Sequence, residues 1–435
     1  MKIFKNDHNV LDDNSLSLLC PIEILDIPPV VYIALSQHTG NPAIPIVKVN
    51  DKVKTGQLIA KAQGNISAHI HSSVSGTVTE IKETEGKKGK ISTEIVIRTE
   101  GDEWLENIDR SNKLIKTTLL TPSQIINRIF EAGIVDLNGV PYPSHIKINV
   151  QQGQKAKLLI INATESESYI AADCRIMLEK TEEFIVGTHI LMKALGIEKA
   201  HIAINRNKKE IIEKIKEISK NYFGIEITPL PAKYLVNGKK YLINAITGEK
   251  IPETVSSLAA GYVVHDIEST FAIYEAVQKN KPLIEHIVTF IDLETKKAHN
   301  VLTRIGTPII HIIEKFSEFS PQRKRIIHGN TVKGKELIDL NTPITKKTIG
   351  FCSYPKDNIA FVCIRCSNCV DVCPAGIEPY RIALLSKQSK YFEIDVDSLS
   401  HCTNCGNCAR VCPSGRHIVD LIRDARKILK PRNQN

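Results

Sequence analysis

The chain has 435 residues, a formal net charge of +9 and eleven cysteines. This length predicts several domains, with ample material for at least one large core. The lysines are scattered, which excludes a dedicated nucleic-acid-binding protein, and no run of 18 apolar residues occurs that would span a membrane. The polar start MKIFKNDHNVLDDN lacks the apolar core of a signal peptide, so we expect no export.

Short β-rich runs alternate with turn signals from about Ile27 to Thr99, which predicts a small β-barrel within a first domain of residues 1–115. The runs VKVNDKVKTGQ and SGTV resemble the barrel-sandwich fold of biotinyl and lipoyl carriers. Ser67, Ala68 and His69 stand near the carrier turn, where those proteins have a lysine. We therefore expect a structural or docking role for this domain and no covalent carriage.

The sequence period changes near Thr121, where TPSQIINRIFEAGIV predicts a helix with Thr121 as its N-cap and Pro122 in its first turn. Further on, AKLLIINA and KAHIAINRN predict strands, while TEEFIVGTHILMKAL, ending at Gly196, and KKEIIEKIKEIS predict helices. This alternation indicates βαβ units and a mostly parallel sheet, which we assign to a second domain of residues 116–288.

A candidate site follows from this sheet. Ligands of open α/β sheets bind at the carboxyl ends of the strands. The loop after Ile161 lies at such an end and contains Asn162, Glu165 and Glu167. On general grounds this loop is a candidate ligand-binding site.

The C-terminal part, residues 346–435, contains the cysteine runs CIRCSNCVDVCP and CTNCGNCARVCP, which start at Cys363 and Cys402 and lie 39 residues apart. Their identical C-x2-C-x2-C-x3-C-P spacing is that of bacterial ferredoxins, in which the fourth cysteine of each run binds the other cluster. We therefore expect two [4Fe–4S] clusters, one on Cys363, Cys366, Cys369 and Cys412, and one on Cys402, Cys405, Cys408 and Cys373.

Two alternatives to iron–sulfur clusters are weaker. Structural zinc sites also use C-x2-C pairs, but four ligands on one zinc ion give no reason for two identical four-cysteine runs that end in proline. A disulfide framework is typical of small secreted domains, and this chain is neither small nor predicted to be exported.

A family resemblance extends over most of the chain. It rests on the ordered segments EAGIVDLNGVPYPSHIKI, LLIINATESESYIAAD, LPAKYLVNGKKYLINAITGEKIP, KPLIEHIVTF and RIGTPI, between the barrel and the cysteine runs. Together these features resemble the C subunit of Rnf-type ion-translocating electron-transport complexes. The resemblance implies a multidomain α+β fold: a barrel-sandwich, a central α/β domain similar to the flavin-carrying NADH-binding subunit of complex I, a β-grasp domain at residues 289–345 and a ferredoxin-like two-cluster domain.

The resemblance also implies a flavin site. In the related proteins a loop of the type G-x-G-G-A-G-F-P lets the backbone approach FMN, and the matching positions for FMN or NADH here are Gly139, Lys147, Asn162, Glu165 and Glu167. This chain instead has DLNGVPYP at the loop, which keeps one of the glycines and introduces a β-branched residue and a proline. The change predicts weak or absent FMN and no NADH oxidation by the isolated chain.

The sequence leaves three functions open. The favoured one is an electron-transfer subunit of an oxidoreductase and translocase, attached peripherally to the cytoplasmic face of the bacterial inner membrane. Its partners would be the other subunits of a membrane redox complex and a soluble donor, NADH or ferredoxin, without nucleic acid. The second is a full FMN-dependent NADH-oxidising subunit of the same complex. The third is a cluster protein of a microcompartment, or a structural relative without turnover.

Overall fold

The computed structural model describes residues 15–85, 91–138, 140–149, 155–164, 170–231, 238–252, 254–317, 324–329, 334–355 and 361–429. Within these residues the chain forms four β-sheets and, at its C-terminal end, a group of short helices. This arrangement confirms the predicted multidomain fold of mixed α and β structure. No helix in these ranges has both the length and the apolar character needed to cross a membrane.

The N-terminal region forms two small sheets that face each other. The described part of this region contains helix α1 (Ser15–Leu18) and strands β1 (Ile22–Ile24), β2 (Val30–Ala34), β3 (Ile44–Pro45), β4 (Lys52–Val53), β5 (Leu58–Lys61), β6 (Ile70–His71), β7 (Gly76–Glu85) and β8 (Ile91–Thr99). One sheet has the order β2-β8-β7-β4 and the other β3-β5-β6. Alternate apolar residues such as Ile33, Ile59 and Ile97 are buried between them, which confirms the predicted barrel-sandwich.

The central region is a parallel α/β layer. Its elements are α2 (Pro122–Glu131), α3 (Ser144–Ile148), β9 (Leu158–Ala163), α4 (Ala172–Glu179), α5 (Thr181–Leu195), β10 (Ala200–Asn205), α6 (Lys209–Ser219), β11 (Ile225–Leu230), α7 (Lys239–Thr247), β12 (Tyr262–Asp266) and α8 (Ile267–Lys279). The strands pair in the parallel order β11-β10-β9-β12. Leu159 and Ile161 of β9 pack on one face, and Leu158 and Ile160 on the other. Both faces of the sheet are therefore covered, as parallel sheets require.

A mixed six-stranded sheet follows the α/β layer. It is built from β13 (Glu285–Asp292), β14 (Lys297–Arg304), α9 (Ile309–Phe316), β15 (Lys324–His328), β16 (Lys335–Leu337) and β17 (Gly350–Pro355), in the strand order β1-β14-β13-β17-β15-β16. The sheet therefore takes in residues on both sides of the predicted 289–345 segment. Strand β1 also pairs here, parallel to β14, although it precedes the barrel in the chain.

The C-terminal region is helical within the described residues. It contains α10 (Asn368–Asp371), α11 (Pro379–Lys387), a 3-10 turn at Tyr391–Glu393, α12 (Val396–His401), α13 (Asn407–Arg410) and α14 (Ile418–Leu429). Ile382 and Ala383 of α11 and Ile418, Ile422 and Ala425 of α14 form its apolar core together with several of the cysteines. The cysteine runs are thus attached to one small helical core.

Candidate metal centres

The first cysteine run folds into a loop around a cavity of about 90 Å³. Arg365 and Ser367 have left-handed φ angles of 55° and 64°, which wrap the chain tightly between the cysteines. Four cysteines line the cavity: Cys363, Cys366 and Cys369 of the first run and Cys412 of the second. Three thiols of the first run thus meet the fourth cysteine of the second.

The second run repeats this arrangement around a smaller cavity of about 20 Å³. Asn404 and Gly406 take left-handed φ angles of 55° and 86° at the corresponding positions of the loop. This cavity is lined by Cys402, Cys405, Cys408 and Cys373. The structure therefore groups the eight cysteines into the two sets that crossed ligation requires, and ligation itself stays a prediction.

The two runs are held together by backbone and side-chain contacts. The amide of Phe361, just before the first run, donates to the carbonyl of Ser414, just after the second, at 3.0 Å. The hydroxyl of Ser386, in α11 after the first run, donates to the carbonyl of Leu421, in α14 after the second, at 2.7 Å. Because each run is fastened to the other, the fourth cysteine of one is fixed beside the first three of the other.

The thiols of both cavities affect one another electrostatically. Burial raises the pKa of Cys369, and negative charge on Cys363 and Cys366 raises it further. Burial raises the pKa of Cys408 to about 12, with contributions from Cys405 and Cys402. Bare thiolates are therefore unfavourable in these cavities, and this penalty would be removed if the same sulfur atoms bound positively charged iron.

This donor set fits a [4Fe–4S] cluster better than a single ion. Four thiolates converge on each cavity, which is the ligand set of such clusters. Among the described residues, no three histidine, cysteine or acidic side chains lie close enough to hold one metal ion. Two identical sets of four cysteines, each completed by a cysteine of the other run, match the crossed ligation of two-cluster ferredoxins.

The loop that replaces the glycine-rich sequence is closed on itself. Val135 and Pro143 form an antiparallel bridge, the amide of Asp136 donates to the carbonyl of Tyr142 at 2.9 Å, and the amide of Ser144 donates to Ile134 at 3.0 Å. The backbone amides of Asp136 and Ser144 are thus used within the loop. They are not available to a ligand phosphate.

Lys147, on helix α3, is buried beside this loop. Its ammonium donates to Asp136 Oδ1 at 2.6 Å, and desolvation lowers the pKa of Lys147 although Asp136 opposes the shift. The same carboxylate lies 3.8 Å from His265 and 3.5 Å from the more exposed Lys239. A flavin phosphate held by Lys147, as the resemblance implies, does not fit these contacts because Asp136 already neutralises that charge.

The other predicted flavin positions lie at the end of strand β9. Asn162 Oδ1 accepts hydrogen bonds from the amide of Thr164, at 3.2 Å, and from its hydroxyl, and is therefore engaged within its own loop. Gly139, Glu165 and Glu167 lie outside the described residues. Sequence reasoning missed the neighbouring Asp266, whose pKa is raised by burial and by Asp136.

A larger cavity, of about 790 Å³, lies between the barrel, helix α8 and strands β13 and β14. Its charges are mutually paired: Lys281 contacts Glu275 at 2.8 Å and also Glu285, which lies 3.3 Å from Arg304. The guanidinium carbon of Arg304 also lies over the Trp104 ring, 4.7 Å from the ring centroid. The lining as a whole comes from segments as far apart as Ile22 and Arg304, so no local sequence signal predicts the cavity.

The fold and the two four-cysteine cavities define an iron–sulfur protein with two cluster sites. Comparison with family models agrees. Residues 8–102 match the RnfC barrel sandwich hybrid domain, residues 129–275 the Nuo51 FMN-binding domain, and residues 362–416 the 4Fe-4S dicluster domain.

Curated relatives show the family. The chain is 34% identical over 398 residues to the C subunit of the proton-translocating ferredoxin:NAD(+) oxidoreductase complex of Clostridium ljungdahlii, and the match covers 90% of this chain and 86% of the relative. It is 32% identical over 405 residues to the C subunit of the Na(+)-translocating complex of Acetobacterium woodii, covering 92% and 91%. The C subunit of the ion-translocating oxidoreductase complex of Rhodobacter capsulatus is 32% identical, covering 83% and 71%. The chain belongs to the family formed by the C subunits of ion-translocating oxidoreductase complexes.

Among solved structures, the chain resembles a chain of the NAD+-reducing [NiFe]-hydrogenase in the air-oxidized state. The TM-score is 0.51 at 16% identity, and the match covers 72% of this chain and 64% of the hydrogenase chain. At this identity the likeness concerns the fold alone.

Proposed function

We propose that this chain is the electron-transfer subunit of a membrane-bound, ion-translocating oxidoreductase complex of the Rnf type. The observation that supports the proposal best is the pair of four-cysteine cavities, which share one helical core. The relatives named above are subunits of ion-translocating complexes, two of which are ferredoxin:NAD(+) oxidoreductases. A protein with two adjacent cluster sites suits a conductor between such redox partners.

The roles of the cysteines follow from their grouping. Cys363, Cys366, Cys369 and Cys412 would hold one [4Fe–4S] cluster, and Cys402, Cys405, Cys408 and Cys373 the other. When bound, each cluster supplies one-electron chemistry. The protein fixes the relative positions of the two sites through the shared core, in which one cysteine of each run, Cys369 and Cys408, is buried. Burial of this kind also adjusts reduction potentials.

The partners would be other subunits of the complex and a soluble electron donor, NADH or ferredoxin. We place the chain peripherally on the cytoplasmic face of the membrane, held by protein contacts. Washing membranes with high salt or carbonate should then release it. Retention until detergent is added would contradict peripheral attachment.

A second candidate function, NADH oxidation through FMN, is favoured by the match of residues 129–275 to an FMN-binding domain. The closed loop at Val135 and Pro143 and the pairing of Lys147 with Asp136 argue against it. We therefore propose that the electron donor lies outside this chain and that no hydride transfer takes place within it.

One preparation distinguishes these functions. Anaerobic protein should contain about eight iron and eight sulfide per chain. It should lack flavin, and its visible absorption should bleach with dithionite. Flavin at one per chain, with bleaching by NADH, would support the second candidate. Iron without sulfide, or zinc in its place, would refute the proposed function.

A further inference from the structure

The two cavities are related position by position. When the second run is compared with the first at the offset of 39 residues, each of the twelve residues lining the first cavity has a counterpart lining the second. The φ angles follow the same relation, since Arg365 and its counterpart Asn404 are both at 55°. The two sites thus have one backbone design, and their differences lie in the side chains.

The largest difference is a charge. Arg416, in CPSGR, lines the first cavity, whereas its counterpart Ile377, in CPAGI, lines the second. Both side chains are buried, with 6% exposure for Arg416 and 7% for Ile377. One site therefore has a guanidinium where the other has a hydrocarbon.

One nitrogen of the Arg416 guanidinium lacks a hydrogen-bond partner among the described residues. This nitrogen, Nη1, is inaccessible to solvent. A buried, charged donor without an acceptor is costly, so a structure that retains one usually has an acceptor to offer it. Here the adjacent space is the cavity on which the four thiols converge.

Smaller differences between the two sites also favour a higher reduction potential at the first. The first cavity is lined by Ser414 and Tyr380 where the second has Ala375 and Val419. A second arginine, Arg365, also lines the first cavity opposite Asn404 in the second, but Arg365 is exposed to solvent. Cys366 of the first site is exposed, while its counterpart is only partly so. More polar surroundings and greater exposure favour the more negative, reduced form of a cluster, and positive charge does so more strongly.

We propose that Arg416 donates to the [4Fe–4S] cluster held by Cys363, Cys366, Cys369 and Cys412, and sets its reduction potential above that of the neighbouring cluster. An electron shared by the two sites then rests on the first. One electron leaves the second site and one enters the first, without making or breaking a bond in the protein. This inference rests on the proposed function, because it requires both cluster sites to be filled.

The test is an anaerobic redox titration of the full chain, followed by electron paramagnetic resonance. Wild-type protein should show two midpoint potentials. Arg416→Met should lower the higher one by at least about 59 mV, a tenfold change in a one-electron equilibrium. The lower one should not move. Arg416→Lys, which keeps the charge, should restore most of the difference. The control is Arg381→Gln on α11, an exposed arginine paired with Glu378.

The possible outcomes separate the two claims. Wild-type protein without iron and sulfide would overturn the proposed function and this inference together. Two intact clusters whose potentials do not respond to Arg416→Met, or a fall in the lower potential alone, would overturn the inference and leave the proposed function standing. If Arg416→Met does not retain both clusters, Arg416→Gln replaces it, because the amide keeps a donor but loses the charge. The same fall, in smaller measure, is then expected.

Discussion

The side-chain ammonium of Lys346, which lies between β16 and β17, donates a hydrogen bond to the backbone carbonyl of Gly133, just after α2, at 2.8 Å. It also donates to the carbonyl of His69 in the barrel at 3.3 Å, and the Lys346 amide donates to Gln37 Oε1 at 3.1 Å. With 1% exposure, this lysine is held by carbonyl oxygens at a three-way junction. Burial lowers its pKa to about 7.

This buried lysine predicts a specific pH dependence of stability. Between pH 7 and about 10 the unfolded chain holds a proton on Lys346 that the folded chain has lost, so stability rises with pH, by at most about 1.4 kcal/mol per unit. Below pH 7 both states are protonated and this contribution is flat. His38 and His71, whose pKa values burial lowers to about 4 and about 3, are neutral throughout the window.

Urea unfolding, followed by fluorescence of the single tryptophan, Trp104, measures this effect. Lys346→Met should remove the rise in stability between pH 7 and 10. The matched control is Lys315→Met, which alters a half-exposed lysine paired with Asp26. Parallel pH profiles for wild type and Lys346→Met would contradict the prediction.

Crossed ligation predicts that replacing the fourth cysteine of one run damages the cluster held by the first three cysteines of the other run. Cys412→Ser should damage the cluster on Cys363, Cys366 and Cys369, because these thiols share its cavity. Cys373→Ser is the matched control and should damage the other cluster. Electron paramagnetic resonance spectra of the reduced variants, together with iron analysis, distinguish the two cluster sites. Loss of the cluster on Cys402, Cys405 and Cys408 in Cys412→Ser protein would refute the crossing.

The buried charges beside the large cavity predict a strong effect on stability. Lys281 lies between Glu275 and Glu285, and these carboxylates raise the pKa of Lys281 despite burial. Lys281→Met leaves the partly buried carboxylates of Glu275 and Glu285, which are 22% and 15% exposed, without this partner and should cost about 2–3 kcal/mol. Lys281→Arg should cost much less. The urea midpoints of the two variants provide the measurement, and a loss below about 1 kcal/mol for Lys281→Met would contradict the prediction.

The closed loop predicts poor flavin binding. Lys147 is neutralised by Asp136, and the loop amides form hydrogen bonds within the loop. The fluorescence of micromolar FMN should therefore not be quenched when FMN is added to anaerobic protein. NADH should leave the cluster absorption unchanged, while dithionite should bleach it in the same sample. Micromolar binding followed by bleaching with NADH would restore the flavin-dependent function.

Elements with strong local signals were predictable from the sequence. Helix α2 starts where expected because Thr121 and Gln124 form a capping box and Pro122 occupies the first turn. Helix α5 ends at Gly196, whose φ of 65° suits glycine. The predicted cysteine grouping followed from the spacing of each run and from the crossed ligation of bacterial ferredoxins. At the helix ends the determining residues are neighbours in the chain.

Features that depend on distant residues were not predicted. Lys346 contacts segments more than two hundred residues away, and nothing near it in the sequence signals burial. The difference between Arg416 and Ile377 was accessible, since the repeat continues beyond each Cys-Pro pair. It was missed because the cysteine spacing, which ends at the prolines, does not extend to these two positions.

Strand β1 has a consequence for the order in which the protein is assembled during synthesis. Ile22–Ile24 pair in parallel with Asn300–Leu302, and the side chain of Asn300 donates to the carbonyls of Ser17 at 2.7 Å and Cys20 at 2.9 Å. The barrel strands between them can pair locally as soon as they leave the ribosome. The segment that precedes the barrel cannot, because Ile22 pairs with Asn300, which is synthesised 278 residues later. The nascent chain must therefore keep this early edge unpaired until most of the polypeptide has been translated.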